Sequence, residues 1–511
     1  MSNPQTPILI VGAGTTGLAL ACDLARRGVQ FRIVDKAPQY FSGSRGKGLQ
    51  PRSLEVMDDF GIIDQVLHNG RFHIPFRGYD GPKALGERDP HEGRYPTPST
   101  PYASVLITPQ WRTEEALRQL LERSGGKVEL ATELTGITQN ENGVIATLQR
   151  DGAESFVDCQ FLVAADGGRS FVRKFLEVPF EGETWKDERM YVGDVRLRGL
   201  DRDAWHSWPN HPDGWLALCP LPSTDTFQFQ AQLPPAEERE PSLDLFREIV
   251  KERTGGIDIE VTDAPWLSLY RVNVRMVSRY RTGRVFLAGD AAHVHTPAGG
   301  QGMNTGIQDA YNLGWKLGAV LLGAPNALLD TYEEERLPVA ANVLGLSTRL
   351  YRQISAEGEE KIRRDGVTLQ LGITYREMSL SATSGEPGLK ISAGDRAPDA
   401  PGLSAAGEPL RLFDLFRGPH FTLLRLFDDS STNDSLPGVK VADIRRTRNE
   451  SGAETSPNSQ LFVDASGHFA DAYAGTNGDH VLVRPDGYIG WVGSAGSYAD
   501  LAKYLQRVSA A

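Results

Sequence analysis

The sequence predicts an α/β chain of several domains, and three observations carry that expectation. The first is length: 511 residues exceed what one hydrophobic core spans, so roughly two to four domains are expected. The second is the opening stretch "ILIVGAGTTGLALACDLARRGVQFRIVDK", which reads as strand, turn, helix, strand. The third is a pair of later strand–turn segments, near 161 and 284, each ending in an aspartate beside glycine.

Ile8–Val11 is a continuous apolar run, as expected of a strand covered on both faces. Gly12-Ala-Gly14-Thr-Thr-Gly17 then fits G-x-G-x-x-G. Gly12 permits the tight turn, Gly14 lets backbone approach a pyrophosphate, and Gly17 lets helix and strand pack closely. The free N–H groups of the helix would face the phosphates. Leu18, Leu20, Ala21, Leu24 and Ala25 form the helix's buried face, and Gly28 ends it. Phe31–Val34 is a second strand, and Asp35 at its tip stands where this Rossmann-type unit needs an acceptor for a ribose hydroxyl. The motif alone does not separate NAD from FAD.

"FLVAADGGRSFVRKFL" (Phe161–Leu176) places Asp166 at a strand's carboxyl end, where α/β folds hold ligands. A capping aspartate in a plain strand–turn–helix is the other reading. "GRVFLAGDAAHVHTPAGGQGMNTGIQDAYNLGWKL" repeats the pattern: strand Arg284–Leu287, then Gly289-Asp290, a glycine-rich loop, and a helical stripe through Ile307, Ala310, Tyr311, Leu313 and Leu317. Asp290, His293 and His295 raise the question of a metal. The spacing lacks the helical H-x-x-x-H and no second Cys/His cluster lies nearby, so no metal is expected.

Formal net charge is -12, which argues against nucleic acid and against an anionic membrane surface. The three cysteines, Cys22, Cys159 and Cys219, are far apart and give no disulfide framework. MSNPQTP has no Lys or Arg, and Pro7–Cys22 is too short and too glycine-broken to span a bilayer. A cytoplasmic protein is expected.

Four blocks in this order resemble the FAD-dependent aromatic hydroxylases, the single-component flavoprotein monooxygenases of the para-hydroxybenzoate hydroxylase fold. They are GAGTTG with Asp35; "SRGKGLQPRSLEVMDDFGI" (Ser44–Ile62); the Asp166-Gly167 segment; and Gly289-Asp290 with GGQGMN. The resemblance implies a Rossmann-type FAD-binding domain (1–70, 104–180 and 271–390, with a helical linker) interleaved with a mixed-sheet substrate domain (71–103 and 181–270). A thioredoxin-like C-terminal domain (394–511), as in the phenol hydroxylase branch, would follow. It implies tightly but non-covalently bound FAD, with NAD(P)H and dioxygen as cosubstrates. Carried over by position, Gly12, Gly14, Thr16 and Gly17 would hold the pyrophosphate, and Asp35 with Lys36 the adenosine end. Gln110 and Asp166 would contact FAD, and Asp290 its polyol chain. Gly300, Gly302, Met303 and Asn304 would line the flavin ring. Arg45 would lie near FAD and receive the nicotinamide, and the Pro297 carbonyl would face the transferred hydroxyl. The implied reaction is hydroxylation of a phenolic, polycyclic or polyketide-like aromatic through a flavin C4a-hydroperoxide. Baeyer–Villiger oxygenation, epoxidation or dehydrogenation on the same fold stays open, as does a non-enzymatic flavin-binding protein. Monomer and homodimer both remain.

Residues 70–103 read as loop-rich. "YVGDVRLRG", "GWLALCPLP" and "TFQFQAQL" read as strands of a mixed or antiparallel sheet. Trp185, Trp208, Trp215, Phe227, Phe229, Trp266 and Tyr270 are candidates for a pocket wall, although sheet packing explains any one of them. About 325–380 reads as helical, and "LKISAGDRAPDAPGL" as a linker. The last domain contains "HFTLLRLF", "QLFVDA" and "HVLVRPDGYIGWVG" as strands, a hairpin turn at Arg484-Pro-Asp-Gly487, and a final helix. It has no cysteine, so thiol chemistry is excluded there and a structural or dimerisation role is expected.

Overall fold

The computed structural model describes residues 5–234, 239–357, 365–405, 408–426, 436–446, 459–494 and 496–509. β1 (Gln5–Val11) lies parallel between β2 (Phe31–Val34) and the strand Ala153–Ala164, and Val285–Leu287 extends the parallel set. Ile8, Leu9 and Ile10 are fully buried because helices cover both faces of the sheet. α1 (Thr15–Arg26) follows β1 and packs against the long helix Gly302–Leu321. Register matters more here than strand count. Val11 stands opposite both Val34 and Ala164, and Ala164 opposite Leu287. Four strands therefore end level, and the residues that follow them share one carboxyl edge: Gly12, Asp35, Asp166 and Asp290.

The second sheet is mixed and has eight strands, its core being Glu260–Val277, Phe180–Arg198, Thr226–Gln232 and Leu216–Pro220. Its first edge strand is His293–Val294, directly after the Asp290 turn, so the sheet is tied to the cofactor domain by the chain itself. One face packs on the helix Leu243–Arg253 around Phe227, Phe229 and Phe246. The other faces the glycine-rich loop. The stretch 70–103, read as loop-rich, contains a hairpin, Phe76–Asp80 with Lys83–Arg88, that closes the far edge. Gly and Pro there mark its turns and flanks rather than a lack of strand.

The helix expected over 325–380 is Asp330–Glu357; residues 358–364 lie outside those described, and 365–380 is a run of turns. The C-terminal strands form a third sheet, in which Phe421–Leu426, Val439–Arg445 and Ser459–Asp464 are parallel and Asp479–Val483 and Ile489–Gly493 antiparallel. Val439–Arg445 has no counterpart in the sequence reading. The stretch read as a linker is not a free spacer: Ala393, Ala397 and Ala400 are buried, and Arg396 donates to Glu55 Oε1 at 2.8 Å.

That contact belongs to a large buried polar seam joining the third sheet to the cofactor domain. Arg484 is fully buried and donates from Nη1 and Nη2 to Glu335 at 2.6 and 3.0 Å. Lys316 Nζ donates to the same carboxylate at 2.7 Å. Trp315 Nε1 donates to Asp486 Oδ2 at 3.0 Å, and Arg52 donates to the Asp486 carbonyl at 2.6 Å. Arg411 and Arg417 converge on buried Asp58. Such ions are costly to bury and stable only while every partner is present. Arg484→Met leaves Glu335 and Asp486 without their guanidinium and is expected to cost about 3–5 kcal/mol. A denaturant midpoint unchanged from the parent protein would refute this.

Candidate active site

The carboxyl edge of the first sheet carries the predicted glycines in two different roles. Gly12 has φ +104°, and a Cβ there would lie 2.3 Å from the Ala165 carbonyl oxygen. A Cβ on Gly17 would lie 1.9 Å from the Gly12 oxygen. Both positions are closed by backbone. Gly14, at the N-cap of α1, has nothing within 4 Å of its Cβ position. It opens on the space that the first-turn N–H groups of α1 face. Thr16 is half-buried and wedges between Gly289 and Gly306, where added Cβ atoms would meet its hydroxyl at 2.5 and 2.4 Å.

Asp35 accepts from the N–H groups of Ala13 and Ala37, both at 2.8 Å, so its carboxylate is fixed beside the glycine turn. Lys36 is exposed. Asp166 Oδ2 caps the short helix Phe171–Phe175, accepting from Phe171 N at 2.8 Å. Its Oδ1 is buried with no partner. Burial pushes the Asp166 carboxyl up, against the hydrogen bonds it accepts. The capping reading is therefore correct for one oxygen and leaves the other free for a ligand.

Asp290 starts the glycine-rich loop. It retains open surface although protein surrounds it, the situation of a group lining a deep cleft. Desolvation pushes its carboxyl up, opposed by the charges of His293 and Arg45. Arg45 is exposed, lies 5.1 Å from the Phe41 ring centroid, and reaches this cleft from the segment after β2. Asp290 also raises the Tyr270 hydroxyl, after burial as the larger cause, so Tyr270 of the second sheet borders the same cleft.

Neither histidine is arranged as a metal ligand. His293 Nε2 is 2.8 Å from Asp309 Oδ2, both side chains fully buried, and Arg336 Nε donates to Asp309 Oδ1 at 2.8 Å. Burial alone would raise Asp309, but Arg336 and His293 hold it below the usual carboxylate range. His295 Nδ1 lies 2.8 Å from the Thr296 carbonyl oxygen and so carries the proton. Its Nε2 is buried, unpartnered, and 3.3 Å from the Cβ position of Gly302. Burial lowers its pKa to about 4, so it is neutral at ordinary pH.

The loop geometry sorts the remaining candidates. Pro297 is exposed, and its carbonyl accepts from Gly300 N at 3.1 Å, leaving one lone pair. Gly300 has φ +63°. Gly302 and Met303 begin the long helix with N–H groups that have no intrahelical acceptor. The Cβ position of Gly46 is 3.6 Å from Gln110 Oε1 and 3.7 Å from Met303 Sδ, so these three residues converge. Asn304 is buried, and its side chain accepts from Gln50 N at 2.8 Å and donates to the carbonyls of Gly48 and Gly300. That leaves only its backbone to face a ligand.

Sequence reasoning missed three supporting residues. Glu114 accepts from Gln110 and from Thr15, each at 2.9 Å, and fixes Gln110 under α1. Gln50 donates to the Gly299 carbonyl at 2.8 Å. Asp194, inside a strand of the second sheet, is buried there. Gln50 sits inside the quoted Ser44–Ile62 block and Glu114 four residues after Gln110, where a polar residue in an apolar-patterned segment was the available signal; Asp194 had none. The aromatic candidates divide by sheet face. Trp208, Phe227 and Phe229 pack on the far side. Trp185, Trp215, Trp266 and Tyr270 stay partly exposed, in a cluster with Met190, Val192 and Ala298 of the loop.

The residues fit a long, doubly phosphorylated, flat ligand: an open glycine at a helix N-terminus, an orphaned Asp166 oxygen, an accessible Asp290 and an aromatic wall. Comparison with known proteins agrees. Residues 5–347 match the family described as FAD binding domain, and 391–511 that described as aromatic-ring hydroxylase, C-terminal. The chain is 44% identical over 509 residues to a flavin-dependent monooxygenase of Mycobacteroides abscessus, covering 98% of this chain and 99% of the relative. It is 33% identical to pentachlorophenol 4-monooxygenase of Sphingobium chlorophenolicum, covering 94% and 93%. The structure of aklavinone-11 hydroxylase with FAD and aklavinone superposes with a TM-score of 0.81 at 25% identity, covering 99% of each chain. Level strand ends, two N–H-rich helix starts and a mixed sheet facing a glycine loop thus belong to a member of the FAD-dependent aromatic-ring hydroxylases, a flavoprotein monooxygenase.

Proposed function

We propose that this monooxygenase hydroxylates a phenolic or polycyclic aromatic substrate with NAD(P)H as reductant. The observation that carries the reading is the apolar cluster in which Ala298 of the cofactor loop meets Met190, Val192 and Val272 of the second sheet, with Trp215, Trp266 and Tyr270 beside it. A flat ring seated there would lie against the loop. Pentachlorophenol and aklavinone, after which two relatives are named, are one small and one polycyclic, and both suit an aromatic-lined chamber.

In this reading the start of α1, with Gly14, holds the pyrophosphate, Asp35 the adenosine ribose, and Asp290 the polyol chain. Gln110, Asp166, Gly300, Gly302, Met303 and Asn304 surround the rest, and Arg45 receives the nicotinamide. Bound FAD supplies the redox and dioxygen chemistry that side chains lack. The chain's own residues position and shield. The second sheet excludes water from the loop, and the Pro297 carbonyl offers its remaining lone pair to a donor on the substrate. His295, neutral and directed at the helix start, adds no positive charge beside Arg45. We likewise read the third sheet as thioredoxin-like, on its parallel strands followed by an antiparallel pair and a helix.

Three measurements bear on this. NAD(P)H oxidation by the FAD-loaded enzyme should accelerate with a suitable phenol or polycyclic aromatic, and labelled dioxygen should leave one labelled oxygen in the product. Acceleration without incorporation would defeat the hydroxylation reading. Gly14→Ala meets no protein atom, so stability should hold while FAD binding weakens tenfold or more, roughly 1.4 kcal/mol; unchanged FAD affinity would mean the open space is not cofactor space. His295 is held neutral down to about pH 4, against 6.5 when unfolded. The unfolded chain therefore binds the extra proton between these values, and stability, complete above pH 6.5, drains as pH falls towards 4. Relative to His295→Asn, the parent should lose on the order of 2 kcal/mol between pH 7 and pH 5 in denaturant titrations with excess FAD. Parallel losses in both proteins would contradict it.

A further inference from the structure

The segment Ser44–Lys47 is fastened to the second sheet at both ends. The Gln228 side-chain amide donates to the Ser44 carbonyl. Lys47 Nζ donates to Gln228 Oε1 at 2.5 Å and Gln230 Oε1 at 3.2 Å, and stands 4.1 Å over the Trp205 ring. Between the fastenings, Gly46 N donates to Gln110 Oε1 at 3.0 Å on the cofactor side. Arg45 is the residue left projecting, within electrostatic reach of Asp290.

Asp194 and Gln228 are paired across neighbouring strands and are both buried. The same strand face carries Met190 and Val192, so an apolar side chain would be the stable choice at 194. A carboxyl there costs free energy unless it is engaged. Asp194 Oδ1 makes no hydrogen bond, and desolvation pushes the carboxyl up to about 7. The engaged member of the pair is Gln228, whose amide donates to the Ser44 carbonyl and accepts from Lys47.

We propose that Gln228 is a positioning residue that clamps Ser44 to the substrate-facing sheet and thereby aims Arg45 into the cofactor cleft. The aiming half rests on the assignment of Arg45 made above; the clamp does not. Two readouts on the FAD-loaded enzyme separate them. In Gln228→Leu, backbone amides across 43–47 should exchange hydrogen about tenfold faster than in the parent, the effect expected from losing a hydrogen bond to a buried partner. Gln228→Glu keeps an acceptor for Lys47 but loses the donor to Ser44, and it keeps the test available where the leucine variant does not fold. The KM for NAD(P)H should rise about tenfold in the same variants, with kcat little changed. Added to Arg45→Ala, neither substitution should raise KM further, because a residue acting only through Arg45 loses its effect when Arg45 is gone. Unchanged exchange across 43–47 would overturn the clamp. Multiplicative effects in the double variants would overturn its action through Arg45. An unchanged KM in Arg45→Ala alone would overturn the assignment of Arg45, and the aiming half with it, while faster exchange would still uphold the clamp.

Discussion

The site hangs on one buried carboxylate. Asp309 accepts from the Gly289 N–H and holds His293 with Oδ2, and pairs with Arg336 through Oδ1. Those three contacts come from the turn bearing Asp290, from the edge strand of the second sheet, and from the helix Asp330–Glu357. Arg336 in turn bonds the Thr305 carbonyl and the Tyr375 hydroxyl. A dry ion pair of this kind holds only while every partner is satisfied. Because it is satisfied, the glycine-rich loop is fixed from behind by buried side chains.

The second consequence concerns the two halves of the active site. A parallel sheet places ligand groups at its carboxyl edge, but it cannot by itself build a wall opposite that edge. The mixed sheet supplies the wall, and the covalent route between them is short: Asp290 belongs to one, His293–Val294 to the other. Ser44–Lys47 makes the second crossing through hydrogen bonds alone. The Asp290–His293 turn and the Ser44–Lys47 segment are thus two of the ties between the first and second sheets.

Much of this was legible in the sequence because it is local. The first Rossmann-type unit needs only consecutive residues: an apolar run, glycines at fixed offsets, a helical stripe and an acid at the next strand's tip. The strand–Asp–Gly segments at 166 and 290 were legible for the same reason. What distance in sequence hides was not. His293 looks like a ligand until Asp309 and Arg336, far along the chain, are brought to it. Thr16 and Asn304 were read as cofactor contacts from their neighbours in sequence, whereas their side chains also fill packing and stapling roles set by Gly289, Gly306 and Gln50. Asp194 carried no signal, since a single polar residue on one strand face has no pattern to break. Val439–Arg445 went unread because alternating Lys, Asp and Arg disguise a strand that pairs on both sides.

The turn Arg484-Pro-Asp-Gly487 is the hairpin its sequence suggests, yet Arg484 and Asp486 are buried against Glu335, Trp315 and Arg52 of the cofactor domain. Trp315 and Lys316 lie on the very helix whose start opens on the cofactor loop. That helix is synthesised long before the residues that neutralise its buried partners. The C-terminal sheet therefore completes ion pairs that the helices of the preceding domain leave open.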